Sequence, residues 1–269
     1  MFSITRYLIK SECLIPWIKF IWQFEAENAR ISHKLLPTDC IDVVMNLSSD
    51  MIYEADSHKI VAPQFHINGL RDKYSYIHQT GSICVLGISF YSFGLFPLIN
   101  RPLEHIKNKI VDLHMLSASL TQKLKSAVSG DITADTIELI EKALCSELRT
   151  NDDYMRKANL MRSFMELDND VTIKSFCDDN RINIKTFERM VLYYSGYTPK
   201  ILRRIKRFQL ASNQLAHQNP KNLSGVAYDN CFADQAHMIK EFHRFSGAAP
   251  RSFLSEKATV KENTKYSYI

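Results

Sequence analysis

The chain has little glycine and little proline, eight of each in 269 residues. That excludes a collagen-like or Pro/Gly-rich disordered composition. Its six cysteines, Cys13, Cys40, Cys84, Cys145, Cys177 and Cys231, stand singly, without the close pairs that build zinc sites or redox motifs. They read as free, mostly buried thiols of a reducing cytoplasm. A clean secretory signal is also lacking, because Lys19 interrupts the early apolar stretch and no small-residue cleavage site follows. His33, Asp39, Cys40, Asp42 and His66 invite a metal or catalytic reading, but there is no His-x-His pair and no Glu-bearing metal helix. No metal, cofactor or catalytic residue is therefore expected, and the chain is not expected to be an enzyme.

Ile83 to Asn100 carries no charge and approaches the length of a membrane span. Gly87, Ser89, Ser92, Gly94 and Pro97 punctuate it, so it reads as a buried strand running into a short core helix, with no membrane partner.

Hydrophobic residues at 45% and charged residues at 23% fit an ordinary globular protein long enough for two domains. The net charge of +5 is unevenly placed. Arg156 to Lys257 holds 17 Lys/Arg against 10 Asp/Glu, and the rest of the chain 17 against 19. A basic C-terminal part on a slightly acidic N-terminal part is expected when one domain meets a polyanion.

Short apolar runs at Trp17 to Phe24, Cys40 to Leu47 and Ile83 to Tyr91 make the first hundred residues β-rich. Between Leu116 and Leu148 the period changes, and Ile137, Ile140, Leu144 and Leu148 share one helix face. This helix could connect domains or dimerise. The polar stretch Arg149 to Asp153 marks a boundary, after which the chain reads as helical to Leu254, ending in a polar tail.

The strongest signal is an internal repeat of 51 residues. Val191-Leu192-Tyr193-Tyr194-Ser195-Gly196-Tyr197-Thr198-Pro199-Lys200 matches Phe242-His243-Arg244-Phe245-Ser246-Gly247-Ala248-Ala249-Pro250-Arg251. Gly196 and Gly247 suit left-handed helix ends, and the prolines prevent continuation. Upstream, Asn183 and Asp234 suit helix N-caps. Each capped helix buries one face, Phe187, Val191 and Tyr194 in the first and Met238, Phe242 and Phe245 in the second. The opposite faces offer Lys185, Thr186, Glu188 and Arg189, and Gln235, Ala236, His237 and Lys240, as candidate DNA contacts. Shorter helical stretches holding Ile173, Phe176 and Cys177, and Val226 and Ala227, precede them, so the helix-turn-helix arrangement occurs twice. Between the copies, Ile201, Ile205, Phe208 and Leu215 stripe a connecting helix. Its first turns crowd Lys200, Arg203, Arg204, Lys206 and Arg207, of which Arg203, Arg204 and Arg207 are expected to meet phosphate.

Ala227-Tyr228-Asp229-Asn230-Cys231-Phe232-Ala233-Asp234-Gln235-Ala236-His237-Met238, with Phe242 and the closing Gly247-Ala248-Ala249-Pro250-Arg251-Ser252-Phe253, resembles the signature of the AraC/XylS family of bacterial regulators. Cys231 and Arg181 stand where the family commonly has glycine, so a small backbone adjustment is expected there. Pro16-Trp17 with Trp22, Leu36 to Leu47, Gly69, and Gly87 with Phe90 resemble a sensor-like domain found in some relatives, one that brings no known chemistry.

The expectation is an α+β protein: a β-rich sensing or dimerisation domain over residues 1–150, an all-α tandem helix-turn-helix DNA-binding domain over 153–257, and a polar tail over 258–269. The resemblance implies a cytoplasmic transcription regulator, an activator rather than a repressor. Its implied partners are double-stranded DNA, RNA polymerase, a small-molecule effector and a second copy of the chain. Two rival readings remain: a DNA-binding domain fused to an enzyme, and an architectural DNA-binding protein.

Overall fold

The computed structural model describes residues 2–218 and 222–255, so the 258–269 tail lies outside the described residues. The N-terminal part forms one antiparallel sheet from β1 (Phe2–Tyr7), β2 (Ile18–Leu35), β3 (Cys40–Asn46), β4 (Ile52–Ala55), β5 (His58–Val61), β6 (Phe65–Asn68), β7 (Ser75–Tyr91) and β8 (Ile110–Asp112). Strand order is β1-β2-β7-β3-β6-β8, with β4 joining β5 to the first half of β7. The β2–β7 ladder is broken by a bulge between Ala26 and Ala29, where Asn28 (φ 48°) is left-handed and Ala29 faces Gly81 (φ 107°). Above the bulge β3 pairs with β7, and below it β4 does. Bulges bend and twist a strand in this way, and the sheet curls on itself.

Strict alternation decides what each face does. Ile21, Ile41, Val43, Met45, Leu86, Ile88 and Phe90 join the large core beneath the helices. Phe24, Val44 and Val85 face the opposite way, into a smaller cluster inside the curl. The uncharged run from Ile83 divides as its punctuation suggests: β7 ends at Tyr91 and α1 (Phe96–Ile99) follows, buried throughout. A 3₁₀ turn (Leu103–Ile106) leads on to β8.

Helices then follow as α2 (Leu113–Leu116), α3 (Ala118–Ala127), α4 (Ala134–Glu147), α5 (Asp152–Glu166), α6 (Ile173–Asp179), α7 (Ile184–Ser195), α8 (Pro199–Gln218), α9 (Leu223–Asp229), α10 (Gln235–Ser246) and α11 (Pro250–Ser255). On α4, Ile137, Ile140 and Leu144 are buried as their spacing requires. Among the described residues no helix is long and apolar enough to cross a membrane.

One reading of the cysteines is corrected. Cys13 and Cys145 are joined as a disulfide, while Cys40, Cys84, Cys177 and Cys231 are free. Spacing along the chain could not show the pair, because folding alone lays residues 10–13 on α4. There Glu141 accepts from the Lys10 N–H (3.1 Å), the Ser11 N–H (2.8 Å) and the Ser11 hydroxyl (2.5 Å).

The core continues past Arg149 to Asp153. Tyr154, capped onto α5 by Asn151, stacks on Trp17 at 5.1 Å between ring centres, meets Phe96, and donates to the Phe93 carbonyl (3.1 Å). The first helix-turn-helix unit thus shares a core with the sheet domain. The second unit, with the later part of α8, encloses its own core around Phe208, Phe242, Phe245 and Phe253.

Candidate DNA interface and internal cavity

Both units turn in the same way. After α6, Arg181 (φ 52°) is left-handed, and the Ile182 N–H reaches back to the Cys177 carbonyl (2.9 Å). After α9, Cys231 (φ 56°) is left-handed, and the Phe232 N–H reaches back to the Ala227 carbonyl (2.9 Å). This is the six-residue closure usual at helix C-termini. Non-glycine residues adopt it here at about 1 kcal/mol each. Asn180 and Asn230 help by donating their side-chain amides to Phe176 (2.8 Å) and Val226 (2.9 Å) carbonyls.

The second helix of each unit is capped as its sequence requires. Asn183 accepts from the Lys185 (2.9 Å) and Thr186 (3.4 Å) amides, and Asp234 from the His237 amide (2.6 Å). Phe187 and Val191, and Met238, Phe242 and Phe245, are buried. Lys185, Thr186, Glu188 and Arg189 are exposed on α7, and Ala236 and Lys240 on α10. Gln235 and His237 are half-buried. Gln235 accepts from the Ser224 hydroxyl (2.8 Å). His237 Nδ1 accepts from the Ala233 N–H (3.2 Å), which leaves the ring proton on Nε2, and the ring meets the edge of Phe232. His237 therefore supports the turn as well as standing near the reading face.

Arg203, Arg204 and Arg207, expected to meet phosphate, are engaged by groups of the protein itself. Arg203, 7% exposed, donates to the Asp168 (2.7 Å) and Val171 (2.9 Å) carbonyls. Lys206 donates to the Met165 and Leu167 carbonyls, both at 2.7 Å. Arg204 makes a two-pronged pair with Glu241, and Arg207 donates to the Cys231 carbonyl (2.9 Å). Positions 203 and 206 share one face of α8 and hold the α5–α6 loop of the first unit. Positions 204 and 207 share another and hold the second unit. These contacts of the basic cluster set how the two units sit on one helix.

Both Ser-Gly repeats end their helices alike. Ser195 donates to the Val191 carbonyl (2.7 Å) and Ser246 to the Phe242 carbonyl (2.8 Å), while Gly196 (φ 78°) and Gly247 (φ 71°) are left-handed. Both ends also rest on the sheet domain. A Cβ on Gly196 would lie 2.7 Å from the Leu103 carbonyl oxygen, and one on Gly247 would lie 2.5 Å from the Tyr74 ring. Tyr197, fully buried, donates to the Leu70 carbonyl (3.1 Å). Arg244 pairs with Asp72 (3.4 Å), and Lys34 donates to the Ser246 carbonyl (3.1 Å).

Inside the curl lies a cavity of about 120 Å³, walled by Trp22, Phe24, Val44, Met51, Ile77 and Val85. Gly87 makes room for it: Trp22 and Val44 are its partners on the two neighbouring strands, and the Trp22 indole occupies the place a side chain would take. Asp42 and Arg71 face the cavity, with His33, Cys40 and Tyr53 also on its wall. Burial pushes the Asp42 carboxyl up to about 6, against the hydrogen bonds it accepts from Ser89 and Trp22. Beside it, His66 Nδ1 donates to the Pro63 carbonyl (2.7 Å) and Nε2 accepts from Tyr53 (3.0 Å), and burial holds this neutral ring down at about 4. Burial also pushes the Cys40 thiol up, the opposite of an activated nucleophile. Arg71 escaped the sequence reading, its only signal being a base just after an apolar strand and Gly69.

Two family matches divide the chain. Residues 10–112 match a domain of unknown function, and residues 176–256 match a helix-turn-helix domain. No curated protein sequence matches. Among solved structures, ToxT from Vibrio cholerae is similar at 12% identity, over 94% of this chain and 97% of that one, with a TM-score of 0.43. The AraC-like transcriptional activator CuxR is similar at 15% identity, over 77% of this chain and 80% of that one, with a TM-score of 0.34. One ToxT structure holds an unsaturated fatty acid. The helix-turn-helix match falls on two units with the same turn, cap and Ser-Gly ending, the second carrying the Asp234-Gln235-Ala236-His237 signature. By that match residues 176–256 are an AraC-type helix-turn-helix domain, the DNA-binding part of a transcription regulator.

Proposed function

We propose that this protein is a transcription activator that reads an extended, asymmetric DNA site with both units and answers to a small-molecule effector held in the N-terminal sheet. The observation that carries the reading is the division of each recognition helix. Its N-terminal part presents exposed polar side chains, while its C-terminal end is anchored on the effector domain. Because α7 offers Lys185, Thr186, Glu188 and Arg189, and α10 offers Gln235, Ala236, His237 and Lys240, the two half-contacts read different sequences. Successive major grooves on one face recur at about 34 Å, so a rigid α8 can set both helices on one duplex.

Sites selected from random DNA by the full-length protein give the duplex for the test. Inserting about half a helical turn between the two half-contacts should abolish specific binding. Retained affinity would mean that one unit reads DNA and the other serves as scaffold. Transcription in vitro with RNA polymerase on the same site tests activation directly, and repression there would overturn that part of the reading.

A further inference from the structure

We propose that the cavity is a receptor for a small organic anion whose charged group pairs with Arg71, and that its occupancy is transmitted through Leu70 and Asp72 to the ends of both recognition helices. This rests on the effector reading above and adds the ligand's class and the route of its effect.

Arg71 carries the argument. It is 8% exposed and lines the cavity. Its Nε–H donates to Asn68 Oδ1 (2.9 Å), and among the described residues neither a carboxylate nor any other acceptor meets its terminal amino groups. The face of Tyr53, 5.8 Å away, compensates only in part. A buried cation with no acid paired to it is costly, and an anion that pairs with it in the cavity lowers that cost. The adjacent acid cannot serve, because Asp72 is engaged by Asn108, Lys107 and Arg244.

The other walls define the rest of the ligand. Trp22, Phe24, Val44, Met51, Ile77 and Val85 call for an apolar body. About 120 Å³ is close to the void of about 150 Å³ that holds benzene, so the body is one ring or a short chain. Asp42, the carboxyl group on the wall, disfavours a second negative charge and so favours a monoanion.

The route runs along one segment of chain. Gly69 and Arg71 line the cavity. Leu70, between them, accepts from Tyr197 at the end of α7, and Asp72 pairs with Arg244 near the end of α10. Asn108 closes the network, donating to Asp72 (2.8 Å) and accepting from Tyr197 (3.3 Å). A ligand that draws in Arg71 acts on the backbone that holds both helices.

Calorimetric titration of the full-length protein with benzoate, benzamide and phenyl phosphate tests the class. Benzoate should bind saturably, benzamide at least tenfold more weakly, and Arg71→Gln should reduce benzoate affinity at least tenfold. Stronger binding of phenyl phosphate, which carries close to two negative charges at neutral pH, would overturn the monoanion assignment. Should Arg71→Gln fail to fold, Arg71→Lys, which keeps the charge and loses the fork, should weaken benzoate and leave benzamide unchanged. Benzamide binding as well as benzoate, benzoate binding unchanged by the substitutions, or no binding of any of the three would overturn the proposal. For the route, benzoate should change affinity for a selected DNA site at least threefold in the wild type. Asp72→Asn should keep benzoate binding and lose that change; an unaltered change would overturn the route. DNA affinity without any anion is measured on the same preparations, and its loss would instead count against the regulator reading.

Discussion

Arg204 on α8 and Glu241 on α10 form a two-pronged ion pair, Nε to Oε2 at 2.7 Å and Nη2 to Oε1 at 2.6 Å, between side chains only 18% and 8% exposed. Removing one partner leaves a buried charge. Glu241→Ala is therefore expected to cost about 3–5 kcal/mol in a denaturant titration, while the double change Arg204→Met with Glu241→Leu recovers most of that loss. A cost under about 1 kcal/mol would show that the pair does not brace the second unit.

Lys240 and Arg189 should behave in the opposite way. Both are exposed, so alanine at either position should leave thermal stability unchanged and weaken specific DNA binding by about 1–3 kcal/mol if each reads a base. Arg203→Ala supplies the contrast: stability should fall, because the Asp168 and Val171 carbonyls lose their donor. Comparing melting curves with mobility shifts separates the two groups, and a DNA defect in Arg203→Ala without loss of stability would return that residue to the interface.

Gly196→Ala and Gly247→Ala meet two penalties each. The left-handed backbone costs about 1 kcal/mol, and the new methyl runs into the Leu103 carbonyl or the Tyr74 ring. Gly196→Ala should be the more destabilising, since a backbone carbonyl yields less readily than a side chain. Urea midpoints check the order. Tyr74→Ala should lessen the defect of Gly247→Ala and leave that of Gly196→Ala untouched.

Stability between about pH 4 and 6.5 should reflect two opposed groups. Asp42, raised to about 6, keeps a proton that the unfolded chain has already released, so its contribution falls as pH rises through this window. His66, lowered to about 4, is neutral while the unfolded imidazole, near about 6.5, is still protonated, so its contribution increases with pH. Asp42→Asn should leave the histidine alone and make stability climb more steeply with pH; His66→Gln should do the reverse. Urea midpoints at several pH values give the slopes, and unchanged slopes in both variants would contradict the assignment.

Much of the DNA-binding half is legible in the primary sequence because its signals are local. Asn183 and Asp234 cap helices, Gly196 and Gly247 end them, and the i, i+3, i+4 spacing of Phe187 and Val191 assigns a buried face without reference to the rest of the molecule. In the sheet domain the long apolar runs marked β2, β3 and β7. The short β4, β5, β6 and β8 passed unnoticed, because four or fewer residues carry too little periodicity.

The partner of each charged side chain is another matter. Lys200, Arg203, Arg204, Lys206 and Arg207 read alike as a basic cluster, but a helix sends residues three apart to the same side. Whether that side meets phosphate, a carbonyl or Glu241 depends on elements packed from elsewhere in the chain. The same holds for Arg71, an ordinary surface candidate in sequence that the curl of the sheet encloses, and for Cys13, brought to Cys145 across 132 residues. Caps, turns and buried faces follow from the sequence alone, since short-range sterics and hydrogen bonds determine them. Only the tertiary structure decides which charges read DNA, which brace the protein and which wait in a cavity, because desolvation and pairing depend on neighbours distant in sequence.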